Sequence, residues 1–273
     1  MSERSERRSL AFDRAADYYD ATRVVSEDST RLQTELLASE LSGRGRVLEI
    51  GAGTGQVTLP LHRAGIPIMG LDLSGPMLRR LVEKAGGVLP VGLVQGDATR
   101  LPFHDRAFGG VVLRWVLHLI PSWHEAVGEI VRVLRPGGVV LVNHGGFSGI
   151  GVDVRERVQQ LVGRPLPAAG LDWAAWSELA EEMRRLGAIH RDLPSYIEHS
   201  DEPLGVTVEG VEAGRYSWLW GLDEQERRSA ARELGPWLER RFGPLDVPHP
   251  HDVTVTWHAY DAPTDGRAAV PAP

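Results

Sequence analysis

The stretch Val47-Leu48-Glu49-Ile50-Gly51-Ala52-Gly53-Thr54-Gly55-Gln56-Val57-Thr58 constrains the fold of this 273-residue chain more than any other. An apolar run carrying one acid leads into three alternating glycines and then into a segment able to form helix. Strand, glycine turn and helix in that order let a backbone come close to a nucleotide-like ligand. Glycine is required where a Cβ would block the approach or forbid the dihedrals of the turn. The dinucleotide pattern is G-x-G-x-x-G, with pyrophosphate resting on the helix N-terminus. Here Gly51, Gly53 and Gly55 read G-x-G-x-G, and Gln56 stands where the third glycine of that pattern would be. The carboxylate of Glu49, two residues ahead of Gly51, repels a pyrophosphate and attracts a cation. Both departures favour a positively charged cofactor.

The apolar run 66–73 reaches Asp72, 21 residues past Gly51 and at the end of a second strand. A carboxylate at that place accepts hydrogen bonds from ribose hydroxyls, whichever nucleotide is bound. Ser74 can cap the next helix, and Met77 on its first turn faces either the adenine or the core. Residues 91–94 form a third strand and 108–113 a fourth, which runs into Arg114-Trp115-Val116-Leu117-His118. In open α/β sheets the ligand crevice lies outside the carboxyl ends of the strands. Arg114, Trp115 and His118 therefore fall near the reacting group. His118 either orients its loop or serves as a general base, since an unperturbed imidazole titrates near neutrality. Residues 124–135 read as a helix closed by Leu134-Arg135-Pro136-Gly137-Gly138. A fifth strand at 139–143 delivers His144 to the same crevice as a second candidate substrate contact.

Glu49-Ile50-Gly51-Ala52-Gly53-Thr54-Gly55 resembles motif I of the class I S-adenosylmethionine-dependent methyltransferases. Further features agree in order and spacing over roughly residues 12–146, about half the chain, and are similar to the methyltransferase type 11, UbiE-like small-molecule group. The pattern G-D-A-x-x-L-P-F at 96–103 is similar to the family's second cofactor motif, which implies that Asp97 and the amide of Ala98 read the adenine edge; an Asx-turn at Asp97 is the alternative. The segment F-D-x-x-A-x-x-Y-D at 12–20 is similar to one that folds over the cofactor in the family. Tyr19 and Arg23 thereby become candidate contacts to its methionine end, with Arg23 pairing the carboxylate. The alternative is an amphipathic helix on the flank of the sheet. The L-R-P-G-G turn is a structural family mark. The family often has Asp after the Phe of strand four, where this chain has Gly109.

The resemblance implies an α/β fold: a Rossmann-like, seven-stranded, mostly parallel sheet with helices on both faces, plus a helical cap insertion. The implied cofactor is S-adenosylmethionine, held by Tyr19, Arg23, Glu49, Gly51, Ala52, Gly53, Gly55, Asp72, Leu73, Met77, Asp97, Ala98 and Arg114. Glu49 is expected to face the cofactor's amino group. His118 is the catalytic candidate, and Trp115 and His144 the substrate candidates.

Beyond 147 only periodicity guides the reading. Helices are expected at 153–162, 173–186 and 223–242, strand six at 188–198 and strand seven at 253–260. The expected organisation is a lid helix at 1–25, the cofactor-binding core at 26–147, a cap at 148–252 interleaved with strand six, the final strand at 253–260 and a flexible tail at 261–273. Six of the eight tryptophans lie after residue 170, which suits either an apolar acceptor pocket or ordinary core. A net charge of −7 argues against nucleic acid as the main partner, because phosphate binding needs a basic face; a small-molecule acceptor is favoured. The chain has no cysteine, hence no disulfide, thiolate nucleophile or Cys-ligated zinc. His199, His249, His251 and His258 show no convincing two-His-plus-carboxylate spacing, so no metal is expected. No signal-peptide core and no membrane span are found, and a cytoplasmic monomer or homodimer is expected. Two other classes stay open: an NAD(P)-dependent oxidoreductase, disfavoured by Glu49 and Gln56, and a non-catalytic S-adenosylmethionine-binding module.

Overall fold

The computed structural model describes residues 9–23, 25–87, 92–143, 149–172 and 174–264. The run Val-Leu-Glu-Ile forms β1 (Val47–Ile50), buried along its whole length as the inner strands of parallel sheets are. It pairs in parallel with β2 (Ile68–Asp72) on one side and β4 (Phe108–Arg114) on the other. β3 (Leu93–Gln95) adds in parallel to β2, and β5 (Leu134–Asn143) to β4. Later in the chain, β6 (Ile189–Asp192) and β9 (His258–Asp261) complete the sheet, β9 running antiparallel to both β5 and β6. The order β3-β2-β1-β4-β5-β9-β6 is the expected seven-stranded, mostly parallel sheet. β7 (Tyr196–Ser200) and β8 (His251–Val255) pair separately as a two-stranded sheet.

Alternate residues of each strand face opposite sides. Val47, Ile68, Val112 and Leu141 pack with α1 (Glu27–Leu41) and α2 (Thr58–Arg63). α3 (Gly75–Lys84) starts from the Ser74 cap, whose hydroxyl accepts from the Met77 amide. Leu48, Ile50, Val111, Leu113 and Val142 pack on the other face with α4 (Trp123–Val133) and α6 (Trp176–Arg185). Helices therefore cover both faces.

Contacts divide the chain into two units: 1–145 with 169–196 and 255–273, and 146–168 with 197–254. The second unit holds α5 (Ile150–Val162), α7 (Leu204–Glu212) and α8 (Glu224–Phe242) around buried Val158, Val211, Leu219, Leu234 and Leu238. α8 opens with a capping box in which Asp223 and Glu226 satisfy each other's amides. Of the stretch 148–252, residues 169–196 group with the first unit, because α6 packs with α4 on the sheet. No helix of the described residues is long and apolar enough to cross a membrane.

Several expected elements differ in detail. Residues 12–22 form two single 3-10 turns, Asp13–Ala15 and Asp20–Thr22, in place of a lid helix. Strands six and seven are each broken in two. β6 gives way to β7 at 193–195, where Pro194 has no N–H for a ladder; opposite it, β8 and β9 break at Thr256 and Trp257. Leu193 donates to the Trp257 carbonyl at 3.2 Å, and Asn143 Nδ2 donates to that of Thr256 at 2.8 Å. Leu134-Arg135-Pro136-Gly137-Gly138 opens β5 instead of forming a separate turn. Leu134 pairs with Phe108, and the ladder resumes at Gly110 and Val139 after an irregularity at which Gly137 takes φ +70°. Gly109 leaves no room for an aspartate, because a Cβ there would collide with the Arg44 carbonyl.

Candidate cofactor and active site

The turn after β1 depends on its glycines: Gly51, Gly53 and Gly55 have φ of +74°, +52° and +85°, a region other residues enter at a cost. The amides of Gly51 and Ala52 both donate to the Leu71 carbonyl, at 2.7 and 3.0 Å, folding the turn against the end of β2. Asp72 ends that strand. Its Oδ2 accepts from the Gly53 amide and its Oδ1 from the Ser74 amide, each at 2.8 Å. Burial raises its pKa, opposed by the two amide bonds.

A cavity opens at these strand ends, where open α/β sheets bind their ligands. Among the sequence candidates, Tyr19, Gly51, Gly53, Asp72, Leu73, Met77, Asp97, Ala98, Arg114 and Trp115 all line it. Asp97 makes the Asx-turn, Oδ1 accepting the Thr99 amide at 3.0 Å, the Thr99 hydroxyl at 2.9 Å and the Ser9 hydroxyl at 3.3 Å; Oδ2 takes none of these. Tyr19 stacks edge-on with Phe12, and burial raises its phenol pKa against the lowering fields of Arg23 and Arg114. Trp115 holds φ +56°, unusual for a bulky residue. The Arg114 guanidinium lies 4.3 Å from its ring centroid, and its buried indole N–H has no hydrogen-bond partner among the described residues.

Other candidates lie off the cavity wall. Glu49 is only 2 % exposed and faces α2, where the Thr58 hydroxyl donates to Oε2. Burial pushes its pKa up to about 8, with the Thr58 bond and Arg114 opposing and Asp72 adding to the rise. Ala52 is buried with Leu59, Leu78 and Leu81. Gly55, Arg23, Gln56 and Lys84 line a second concave surface. His118 is buried on the 3-10 turn Leu117–Leu119, and its carbonyl accepts from the Gly170 amide at 2.8 Å. His144 lies outside the described residues.

Sequence reasoning missed the clasp over the glycine turn. Gln56 Oε1 accepts from Arg114 at 3.1 Å, while its Nε2 donates to the Arg23 carbonyl at 2.9 Å and to Asp20 at 3.4 Å. Asp20 also accepts from Thr54 at 2.6 Å and pairs with Lys84 at 3.0 Å. Asp17 pairs with Arg80, and the Leu10 amide donates to the Leu119 carbonyl at 3.0 Å. The N-terminal segment is thereby strapped across the cavity mouth. The only signal was Gln56 itself, read as a missing glycine. The fold also brings His190, Asp192 and His258 together, with their ligand atoms within 4.8 Å of one another.

Residues 48–142 match the family model of the methyltransferase domain. The phosphatidylethanolamine N-methyltransferase of Cereibacter sphaeroides is 41% identical over 131 residues, 46% of this chain and 63% of that protein. The demethylmenaquinone methyltransferase of Renibacterium salmoninarum is 30% identical over 191 residues, 67% of this chain and 79% of that protein. Several other demethylmenaquinone methyltransferases are matched over only 55–59% of their length. The crystal structure of the YcgJ protein from Bacillus subtilis shares the fold, with a TM-score of 0.58, 20% identity, and coverage of 87% of this chain and 99% of that one. None of these matches supports a nicotinamide oxidoreductase. Sequence, fold and relatives agree that the chain belongs to the class I S-adenosylmethionine-dependent methyltransferases.

Proposed function

We propose that this chain binds S-adenosylmethionine in the cavity beside the glycine turn and transfers its methyl group to a small-molecule acceptor. The observation that supports this most is the charge pattern of the cavity. Asp72 and Asp97 line it, Glu49 lies behind it, and Arg114 is its arginine. Two wall carboxylates suit ribose hydroxyls and an adenine amine, and repel a pyrophosphate. Arg114 suits the cofactor's carboxylate. It takes the role first expected of Arg23, which lies on the second concave surface.

When bound, the cofactor supplies a methyl group activated by its sulfonium, open to in-line attack. The chain's own work is to position the reactants and exclude water, which can supply up to about 7–11 kcal/mol of a barrier. Gly51 and Gly53 let the backbone approach, Asp72 and Asp97 with the Ala98 amide fix the nucleoside, and Tyr19 with the N-terminal strap closes the mouth. Trp115 offers an apolar face to the acceptor. His118 positions the loop that carries Trp115. A cytoplasmic location and a monomeric or homodimeric state belong to the same proposal.

Thermal shift and calorimetry with S-adenosylmethionine, S-adenosylhomocysteine, NAD and NADP test the cofactor reading; stabilisation by the nicotinamide dinucleotides alone would overturn it. Labelled-methyl transfer over an acceptor panel tests catalysis. The relatives are named for phosphatidylethanolamine and demethylmenaquinone, so both kinds of acceptor belong in the first panel. Cofactor binding with no transfer to any acceptor would leave the non-catalytic module in place.

A further inference from the structure

β6 is the edge strand of the sheet and β9 its neighbour. In their ladder Asp192 stands opposite His258, and His190 opposite Tyr260. His190 and Asp192 are two residues apart on one strand, so they share a face, and residues opposed across a ladder share it too. Arg191, between them, is taken up on the opposite face by Glu40 and Asp261. The cluster is therefore a consequence of register.

Its three ligand atoms lie close enough to share one ion. His258 Nδ1 lies 3.1 Å from Asp192 Oδ1 and 3.1 Å from His190 Nε2, and His190 Nε2 lies 3.4 Å from Asp192 Oδ1. Nitrogen and oxygen ligands at bonds of about 2.0–2.1 Å and tetrahedral angles stand roughly 3.3 Å apart. A hydrogen-bonded trio has to share one proton of His258 Nδ1 between two acceptors. One ring nitrogen has a single proton or a single lone pair, and His258 Nδ1 meets two neighbours at equal distance. An ion on the axis of the triangle satisfies all three atoms together. The imidazoles are also held in place: the Trp176 ring is 4.3 Å from that of His258, and the Tyr260 ring is 5.1 Å from that of His190. The Asp192 side chain is 75% exposed, so an ion can enter from solvent and keep a water as its fourth ligand.

We propose that His190, Asp192 and His258 form a binding site for a divalent transition-metal ion of the zinc class. Two imidazoles and one carboxylate select such an ion over magnesium or calcium, which prefer all-oxygen sites. The bound ion would fasten the edge strand to β9 across 66 residues of sequence.

The test uses the tag-free full chain after dialysis against chelator. Titration with zinc chloride by calorimetry, and with cobalt(II) by visible absorption, is expected to show one ion per chain with tetrahedral cobalt bands and a rise in Tm. His190→Ala and Asp192→Asn sit on exposed side chains that the fold can spare. Each should weaken binding by at least about tenfold. His199→Ala removes a histidine paired with Asp252 in the other unit and should change nothing. Absence of one-to-one binding at micromolar zinc, or equal binding by His190→Ala and Asp192→Asn, would overturn the proposal.

Discussion

Replacing Glu49 by Gln separates the two states of this acid. In the ligand-free protein its pKa is pushed up to about 8, burial being the largest cause. At pH 7 the neutral form therefore outnumbers the charged form by about tenfold. The folded protein holds this proton more firmly than the unfolded chain, whose ordinary value is 4.5. Its contribution to stability is complete below about pH 4.5 and is lost as pH rises towards about 8. At about 1.4 kcal/mol per pKa unit, that loss is on the order of 5 kcal/mol. Gln mimics the neutral acid and can still accept from Thr58. The ligand-free variant should match the wild type near pH 5 and be the more stable of the two above pH 8, by melting temperature. Cofactor binding should move the other way. A cationic ligand in the cavity favours the charged carboxylate behind its wall through their mutual attraction, so Glu49→Gln should weaken S-adenosylmethionine binding severalfold. Wild-type binding should release a proton below pH 8, seen by calorimetry in buffers of different ionisation enthalpy. The cofactor's own amino group titrates in the same range, and the variant carries that titration alone. Equal affinities and equal proton release in the two proteins would refute the reasoning.

Four further outcomes follow from the same structure. Asp72→Ala removes the acceptor of the Gly53 and Ser74 amides and should lower cofactor affinity more than tenfold by calorimetry, since two charge-assisted bonds are lost with the ribose contact; unchanged affinity would sink the ribose assignment. Gly51→Ala meets Val116 at φ +74° and should cost about 2–5 kcal/mol in chemical denaturation, against about 1 kcal/mol for Gly43→Ala, where φ is also +74° but no atom lies within 4 Å. Gln56→Ala cuts the bonds to Arg114, Asp20 and the Arg23 carbonyl and should speed hydrogen exchange in residues 10–23 severalfold without unfolding the sheet. Trp115→Asn relieves the strain of φ +56°, a conformation Asn tolerates; Tm should hold while methyl transfer falls, and a large loss of Tm would show that the indole is there for packing.

The parts legible in the sequence are those written within one contiguous motif. The glycine turn, Asp72 at the end of β2 and Asp97 after β3 each lie within a few residues of the strand that carries them, so local pattern places them on the cavity. What failed was set by contacts between distant segments. The spacing of Phe12, Ala15, Ala16 and Tyr19 is helical, yet Asp17 and Asp20 are drawn to Arg80, Thr54 and Lys84, and the segment settles into two short turns. That settlement carries Arg23 to the second concave surface. The alternation at 188–198 and 253–260 is genuine, but Pro194 and the bonds to Trp257 and Thr256 split it between two sheets. His190, Asp192 and His258 become neighbours only through the pairing of β6 with β9, which no spacing along the chain encodes.

The glycine turn and the loop after β4 are best understood as one device. Gly51 follows β1 directly, and the space its missing side chain leaves is filled by Val116. Val116 can reach that space because Trp115 before it turns through φ +56°. A turn of that kind costs a bulky residue about 1–3 kcal/mol. Three contacts offset the cost: the Trp115 amide donates to the Asn143 carbonyl at 2.9 Å, the Arg114 guanidinium covers the indole at 4.3 Å, and Gln56 holds Arg114 at 3.1 Å. Gln56 in turn holds the N-terminal strap. The departures of this glycine motif from the dinucleotide pattern thus have a second consequence beyond ligand charge. They connect the cofactor turn, the N-terminal segment and the tryptophan on the cavity wall through one chain of hydrogen bonds and ring contact.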